Sequence, residues 1–341
     1  MKVIAIEEHF TTNEHVKALR SLIHRVNSGS ADAMDESNIS FEARWVLPAK
    51  LPADDGGIME KLLDVGEHRI HVMDEAGIDM QVLSIMSPGV QAFDGETARI
   101  LAKSINEELA EIVERNPRRY AGLATIAPQD PKTAAEELKR AVMELGLKGV
   151  CIHSHTKGEY LDDRKYWNIF AMAEKLSVPI YLHPRIPSPD MVRPYLTYPC
   201  LATGMWGFSA EVSLHAMRLI CSGLFDQYPG LRIILGHFGE ALPFWLWRLD
   251  NRWQKNLFGM QLKKKPGDYV RENFLVTTSG MFHHPSLQCA YSTLSADRIL
   301  FAVDYPFESC NDAVTFIRSA PMSDDEKGQM FGRNAEKLLK L

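Results

Sequence analysis

The chain has 341 residues, of which 45% are hydrophobic and 24% charged, and a formal net charge of −6. That balance belongs to a globular protein, and the acidic excess argues against a nucleic-acid-binding surface. Five cysteines (Cys151, Cys200, Cys221, Cys289 and Cys310) are scattered without a C-x-x-C pair. Neither a disulfide framework nor a zinc knuckle is therefore expected, and the pattern fits a reducing cytoplasm. No apolar stretch is long enough to span a bilayer, and no signal-peptide pattern precedes the first strand. The one tight basic run, Lys263-Lys264-Lys265, reads as a solvated loop.

The stretch from Val3 to Ile6 is a short apolar run closed by Glu7, Glu8 and His9. Such a run reads as a buried parallel strand whose carboxyl end opens into a site. Alternation puts Glu7 and His9 on one side and Glu8 on the other. From about Thr11 to Gly57 the chain is irregular, punctuated by glycine, proline and aspartate, with one helix expected over 14–25. A loop this long is usually functional, as a lid or an oligomer contact. Beyond it the pattern is regular. Helical spacing covers 60–76, 95–115, 131–145, 163–176, 209–222, 240–256, 285–294, 310–319 and 324–339. Strands are expected over 80–85, 120–126, 148–152, 179–183, 231–235, 274–278 and 298–303.

Eight strands alternating with helices imply a parallel sheet, and over this length a closed α/β barrel. The expected architecture is one (β/α)8 TIM barrel domain over 1–341 with a long insertion at about 11–57 after the first strand. Neither G-x-G-x-x-G nor a P-loop follows that strand, which removes the main argument for a nucleotide fold.

Active sites of such barrels lie at the carboxyl ends of the strands. The ionisable residues falling there are Glu7 and His9, His153 and His155, His183, His237 with Glu240, and Asp304. One histidine at a strand end means little, but several converging from different strands point to a metal. Glu7, His9, His183 and Asp304 supply two carboxylates and two imidazoles, a donor set suited to Zn²⁺ or Mn²⁺.

The motifs Glu7-x-His9, Leu182-His183-Pro184, Gly236-His237-x-Gly239-Glu240 and Asp304-x-Pro306, with Leu246-Trp247-Arg248-Leu249-Asp250 and Thr278-Ser279-Gly280, span nearly the whole chain. Together they resemble the amidohydrolase superfamily, and within it the non-oxidative aromatic acid decarboxylases acting on γ-resorcylate, 2,3-dihydroxybenzoate and 5-carboxyvanillate. The resemblance implies one divalent metal, Mn²⁺ or Zn²⁺, on Glu7, His9, His183 and Asp304, with His237, Glu240 and Arg248 lining the site. Hydrolytic members commonly open with His-x-His rather than Glu7-x-His9, and two-metal members carry a lysine at the end of strand four, where this chain has His153. A mononuclear centre follows.

The mechanism so implied is chelation of an ortho-hydroxy aryl carboxylate, protonation of the ring carbon and release of CO₂. Asp304 is the candidate donor, its carboxyl pushed up by the substrate's like charge. His237, oriented by Glu240, positions a group or relays protons, and Arg248 holds the carboxylate or balances Glu240. Phe208, His155 and Arg185 are candidate substrate contacts, and Trp206 could stack on a ring. Core or subunit packing accounts equally well for Phe208 and Trp206, as does a structural role for His155, and a surface ion pair is the alternative for Arg185. Arg44 and Lys50 are candidates for a distal cationic contact that some relatives bring in from a neighbouring subunit. Glu8 and His153 read as structural, and His283-His284 as a loop pair. The expected partner is a small aromatic carboxylate, and the expected assembly a homodimer or homotetramer. The rival readings are a lactone or amide hydrolase, a hydratase, and a metal-binding scaffold without turnover.

Overall fold

The computed structural model describes residues 2–28, 57–255, 258–259 and 261–341. Most of the expected insertion, with Arg44 and Lys50, lies outside the described residues.

The strands are β1 (Ile4–Phe10), β2 (Met80–Ile85), β3 in two segments (Tyr120–Gly122 and Ala124–Thr125), β4 (Val150–His153), β5 (Ile180–His183), β6 (Ile233–Leu235), β7 (Phe274–Thr277) and β8 (Ile299–Leu300). All pair in parallel and in chain order. The ladder passes through Leu123, whose N–H donates to Leu83 O at 2.9 Å while Ala124 N–H donates to Gly149 O at 2.9 Å. The ring closes between the ends: Ile6 N–H donates to Phe301 O at 3.1 Å, Asp304 N–H to Glu7 O at 3.0 Å and His9 N–H to Tyr305 O at 2.8 Å. The fold is the expected (β/α)8 barrel.

Side chains sort by the strand period. Ile4, Ile6, Val82, Leu123, Cys151, Tyr181, Ile234, Leu275 and Leu300 fill the interior. Ala5, Leu83, Ile85, Val150, Ile152, Leu182 and Val276 face outward into the layer shared with the helices. β1 breaks its own period. Its pairing slips between Ala5 and Glu8, a bulge that adds one residue to the strand. Ile6 and Glu7 therefore both face inward, His9 follows them, and Glu8 turns out toward Gln81 and Arg69. Gln81 Nε2 donates to Glu8 Oε2 at 3.2 Å, and Arg69 donates to Gln81 Oε1 at 2.7 Å and to His9 O at 2.8 Å. Glu8 is thus structural, as expected, and helps fix the backbone of β1.

Helices Gly95–Arg115 and Cys310–Ser319 match expectation. The helix expected over 60–76 is two, Ile58–Leu63 and Glu67–Ala76. The break lies where Asp64 Oδ1 accepts from Gly66 N–H at 2.9 Å, a local bond that competes with helix. The helix over 324–339 is interrupted by a π-turn at Gln329–Arg333. Pro266–Asn273, opened by a proline, is a helix that hydrophobic spacing did not reveal. Among the described residues no helix is long and apolar enough to cross a membrane.

Candidate active site

Glu7 and His9 on β1 and His183 at the end of β5 bring one potential ligand atom each to within 4.8 Å of one another, and all three are buried. The bulge in β1 makes this possible, because it turns Glu7 inward without surrendering the apolar place of Ile6. His183 Nε2 lies 3.3 Å from Glu7 Oε1, and the His9 and His183 rings meet edge to face at 4.8 Å. Burial pushes the Glu7 carboxyl up, but His237, His183 and His9 outweigh it and hold the group well below its ordinary range. Among the described residues Glu7 Oε1 and His9 Nδ1 are buried and accept or donate no hydrogen bond.

The other oxygen of Glu7 is fully engaged. Tyr181, on β5 two residues before His183, donates its O–H to Glu7 Oε2. Thr277 Oγ1 donates to the same oxygen at 3.0 Å. Gly236, just past β6, lies against this carboxylate with no room for a side chain. A Cβ there would sit 3.1 Å from Oε2 and 3.2 Å from Oε1.

His183 Nδ1 lies 2.7 Å from Pro184 O, which assigns its proton to Nδ1 and leaves the Nε2 lone pair facing Glu7. His153 Nδ1 approaches from behind at 3.1 Å. Gln91 in turn holds the end of β4: its Oε1 accepts from His153 N–H at 2.7 Å, and its Nε2 reaches Thr156 Oγ1 at 2.9 Å. His153 is thus a support for a ligand, in line with its structural reading.

Asp304 follows β8 and stands beside the three-residue cluster, its Oδ1 3.2 Å from His9 Nε2 and its Oδ2 3.8 Å from His237 Nε2. Of the expected set of four, Glu7, His9 and His183 form the tight group, and the Asp304 oxygens lie outside it. Burial raises the Asp304 carboxyl, but hydrogen bonds from His237 and His9 outweigh it, so the net shift is downward. The rise expected of this carboxyl belongs to the substrate-bound site; without substrate its neighbours pull it down. His237 is pushed the other way. Burial opposes its charge, but Glu240, Glu7 and Asp304 together raise its pKa well above the ordinary histidine value. His237 Nδ1 donates to Glu240 Oε1 at 2.7 Å, so the expected pairing of these residues is present.

The segment carrying that pair has an unusual backbone. His237, Phe238, Gly239, Glu240 and Ala241 all have positive φ, between 49° and 78°. It is one turn of left-handed helix, with His237 and Glu240 brought together across it. The right-handed helix Leu242–Gln254 begins directly after, with Pro243 in its first turn.

The remaining candidates are held by other contacts or exposed. His155 is buried with both ring nitrogens committed: Nε2 donates to Ile186 O at 3.1 Å and Nδ1 accepts from Gly158 N–H at 3.1 Å. Neither is left for a ligand, so His155 orders the loop after β4 rather than offering a substrate contact. Burial and Arg185 drive its pKa well down, consistent with a neutral ring. Arg185 is buried, and its Nη1 donates to His155 O at 3.1 Å, tying the loops after β4 and β5 together. Phe208 packs on an apolar cluster of Ile186, Val192 and Ala202. Trp206 is 63% exposed. Arg248 is exposed on its helix and makes no ion pair or hydrogen bond among the described residues. His283 bonds to Ser286 Oγ and His284 stacks on Phe316, away from the site.

Hydrophobic spacing gave no reason to single out Tyr181, Thr277, Ser279 or Gln91. The strand period could have flagged the first two, since Tyr181 precedes His183 by two and Thr277 precedes Ser279 by two. A groove of about 1320 Å³ opens at the opposite end of the barrel, beside Lys2, Met80, Tyr120 and Lys148, and touches none of these residues.

The amidohydrolase family profile (Amidohydro_2) matches residues 58–341. The chain is 37% identical to the γ-resorcylate decarboxylase of Polaromonas sp. (strain JS666) over 99% of its own length and 98% of the relative's. Its structure superposes with a TM-score of 0.91 on 5-carboxyvanillate decarboxylase from Sphingomonas paucimobilis, at 39% identity, covering 100% of this chain and 99% of the other. The 5-carboxyvanillate decarboxylase of Novosphingobium aromaticivorans, solved with bound manganese and 3-methoxy-4-hydroxy-5-nitrobenzoic acid, gives 0.91 at 38% identity over 100% and 97% of the two chains. Glu7, His9 and His183 gathered at one mouth of a (β/α)8 barrel and a similarity that runs the length of the chain agree, and the protein belongs to the amidohydrolase family.

Proposed function

We propose that this protein is a metal-dependent, non-oxidative decarboxylase of an aromatic acid bearing a hydroxyl ortho to its carboxylate. The observation that carries the reading is the buried cluster of Glu7, His9 and His183 beside a carboxylate, Asp304, that faces a charged imidazole. Full-length relatives at 37% and 39% identity are named decarboxylases of hydroxylated aromatic acids, which supports the same chemistry.

The residues fit a divalent cation. One carboxylate and two imidazoles, with Asp304 adjacent, are a donor set for Mn²⁺ or Zn²⁺. The buried Glu7 Oε1, which no protein donor satisfies, is the atom such an ion would complete. Manganese in the Novosphingobium relative favours Mn²⁺. When bound, the metal supplies a Lewis acid that orients an ortho-hydroxy acid and offsets its negative charge.

The chain supplies the proton. Decarboxylation of an aryl acid would leave an aryl anion unless the ring carbon is protonated first. His237 carries a proton on Nε2, 3.8 Å from Asp304 Oδ2, with Glu240 anchoring Nδ1. We assign the donor role to this pair: His237 delivers the proton through Asp304, which acts on the ring carbon and is recharged by the imidazolium. The carbon–carbon bond then breaks, the carboxylate leaves as CO₂, and the bonding pair returns to the ring, which regains aromaticity.

Phe244, Trp245 and Trp247 are exposed on the helix that also carries Arg248, a patch that supports a homodimer or homotetramer placing Arg248 near a subunit boundary. A cytoplasmic setting is supported by five cysteines that are all unpaired.

The test is to load the purified protein with Mn²⁺, supply a panel of ortho-hydroxybenzoates, and follow the substrate's ultraviolet band together with CO₂. Turnover of at least one acid, abolished by a chelator and restored by Mn²⁺, is expected. Metal binding with no CO₂ from any member of the panel would refute the reading and favour a hydrolase or a hydratase.

A further inference from the structure

We infer that Tyr181 and Thr277 form a clamp on Glu7 Oε2 that makes Glu7 a one-oxygen ligand and sets where its free oxygen stands. The inference rests on the reading of Glu7, His9 and His183 as metal ligands.

Three features of the barrel interior converge on one carboxylate. Tyr181 is 1% exposed and points to the barrel axis one layer below His183. Its hydroxyl has Glu7 Oε2 and Thr277 Oγ1, the latter at 3.3 Å, as its neighbours. Thr277 Oγ1 meets Glu7 Oε2 at 3.0 Å and Ser279 Oγ at 2.8 Å, and Ser279 Oγ lies 3.2 Å from His237 N. A hydroxyl has one proton to give. Since Oε2 can only accept and the His237 amide can only donate, the directions are fixed. His237 N–H donates to Ser279, Ser279 to Thr277, and Thr277 to Glu7. Gly236 presses on the same carboxylate from β6, where any Cβ would fall within 3.2 Å of both oxygens.

Glu7 Oε2 thus holds two donors, and rotation of the carboxylate is blocked. Oε1 alone faces His183 and the cluster, with no hydrogen bond of its own among the described residues. A carboxylate free to bind through both oxygens would fill two coordination positions. Held by one, it leaves a position open for a substrate that itself chelates through two oxygens. Tyr181 and Thr277 are positioning residues in this account: they act through Glu7 and touch neither metal nor substrate. The oriented hydroxyl chain also ties Glu7 to the left-handed turn of His237, so the two halves of the site are set against one another.

The test uses full-length protein carrying Tyr181→Phe, Thr277→Val or Thr277→Ser, titrated with Mn²⁺ by calorimetry and examined by Mn²⁺ electron paramagnetic resonance without substrate. Phenylalanine keeps the ring and removes only the hydroxyl. Support from outside the ligand set is typically worth about 10- to 100-fold in metal affinity. Tyr181→Phe is expected to weaken Mn²⁺ binding about 10-fold and to change the resonance line shape. Thr277→Val should do the same, while Thr277→Ser, which retains the donor, should keep wild-type affinity. With a substrate in hand, KM should rise more than kcat falls. Wild-type affinity and an unchanged spectrum in both Tyr181→Phe and Thr277→Val would overturn the clamp. If Tyr181→Phe fails to fold, the contrast between valine and serine at Thr277 decides the matter alone. Because the metal titration needs no turnover, a wild-type protein that binds Mn²⁺ without releasing CO₂ would refute the decarboxylase reading and still judge the clamp.

Discussion

A methyl group at Gly236 would stand 3.1 Å from Glu7 Oε2, 3.2 Å from Oε1 and 3.3 Å from the Tyr181 hydroxyl. Two of the three atoms, Glu7 Oε2 and the Tyr181 hydroxyl, are held by hydrogen bonds, which limits how far the carboxylate can retreat. Gly236→Ala is therefore expected to tilt the carboxylate and weaken Mn²⁺ binding by at least about 10-fold, the range seen when support of a ligand is lost. Calorimetric titration of Mn²⁺ into the variant would show it, and a wild-type affinity would mean that the carboxylate is less constrained than its contacts suggest. The glycine was visible in the Gly236-His237-x-Gly239-Glu240 motif, but its purpose was not. A residue's own sequence neighbours do not reveal that a carboxylate 229 positions earlier will press on it. The same limit applies to His155. Its place after a strand end suggested a ligand-facing ring, and only the loops from β4 and β5 show that both nitrogens are already bonded to backbone. Glu7, His9, His183 and Asp304 were legible because strand ends in a barrel point to one mouth, a rule that needs no knowledge of partners.

At the level of the element, the left-handed turn from His237 to Ala241 is the feature least expected from sequence. A three-residue spacing of His237 and Glu240 suits an ordinary helix equally well, and only Gly239 hints at positive φ. Four non-glycine residues in this conformation each cost roughly 1–2 kcal/mol relative to right-handed backbone. Packing against β7 and the helix Leu242–Gln254 must hold them there. Two substitutions of opposite sign test this. Ala241 is exposed at φ 64°, so Ala241→Gly removes the Cβ penalty and should stabilise the fold by about 0.5–1 kcal/mol after the entropy of glycine is counted. Gly239 has φ 78°, and a Cβ there would lie 2.7 Å from Val276 Cγ1. Gly239→Ala should therefore destabilise by on the order of 3 kcal/mol and separate His237 from Glu240. Urea unfolding midpoints would read both. A Gly239→Ala protein as stable as wild type would show that the turn relaxes easily and is not the rigid mount inferred for His237.

At the scale of the whole molecule the barrel was readable because parallel strands buried on both faces appear as continuous apolar runs. The bulge of β1, the hand-over of β3 from β2 to β4 and the closure between β1 and the residues after β8 are pairings between distant segments, and no single run encodes them. The same packing that closes the barrel buries titratable groups on both sides of neutrality, and this shapes the stability of the metal-free protein. His15 bridges Thr11 Oγ1 and Gly89 O, and burial lowers its pKa to about 4. His215 lies between Ser154 Oγ and Leu161 N–H, and burial lowers its pKa to about 3. Each binds a proton more readily when unfolded, from about pH 6.5 downward. The stability they contribute is complete above that pH and is lost as the solution is acidified toward their folded values. Glu8 has the opposite sign. Burial raises its pKa to about 8, so its contribution is complete below its ordinary value of 4.5 and is lost as pH rises through 8. Between roughly pH 4.5 and 6.5 the two effects oppose one another, and each group is worth about 1.4 kcal/mol per pH unit where it titrates alone. Two histidines against one glutamate leave a net rise of about 1.4 kcal/mol per pH unit across that window, so unfolding free energy should peak near pH 6.5 and fall on both sides. The alkaline fall should lose about 1.4 kcal/mol per pH unit in Glu8→Gln, the raised His237 supplying the remainder, and the acid fall should lose as much in His15→Gln. Denaturant titrations of the apoprotein at half-unit steps from pH 4 to 9 would measure both limbs. An alkaline limb of unchanged slope in Glu8→Gln would place its origin elsewhere, in a group that the buried face of β1 does not hold.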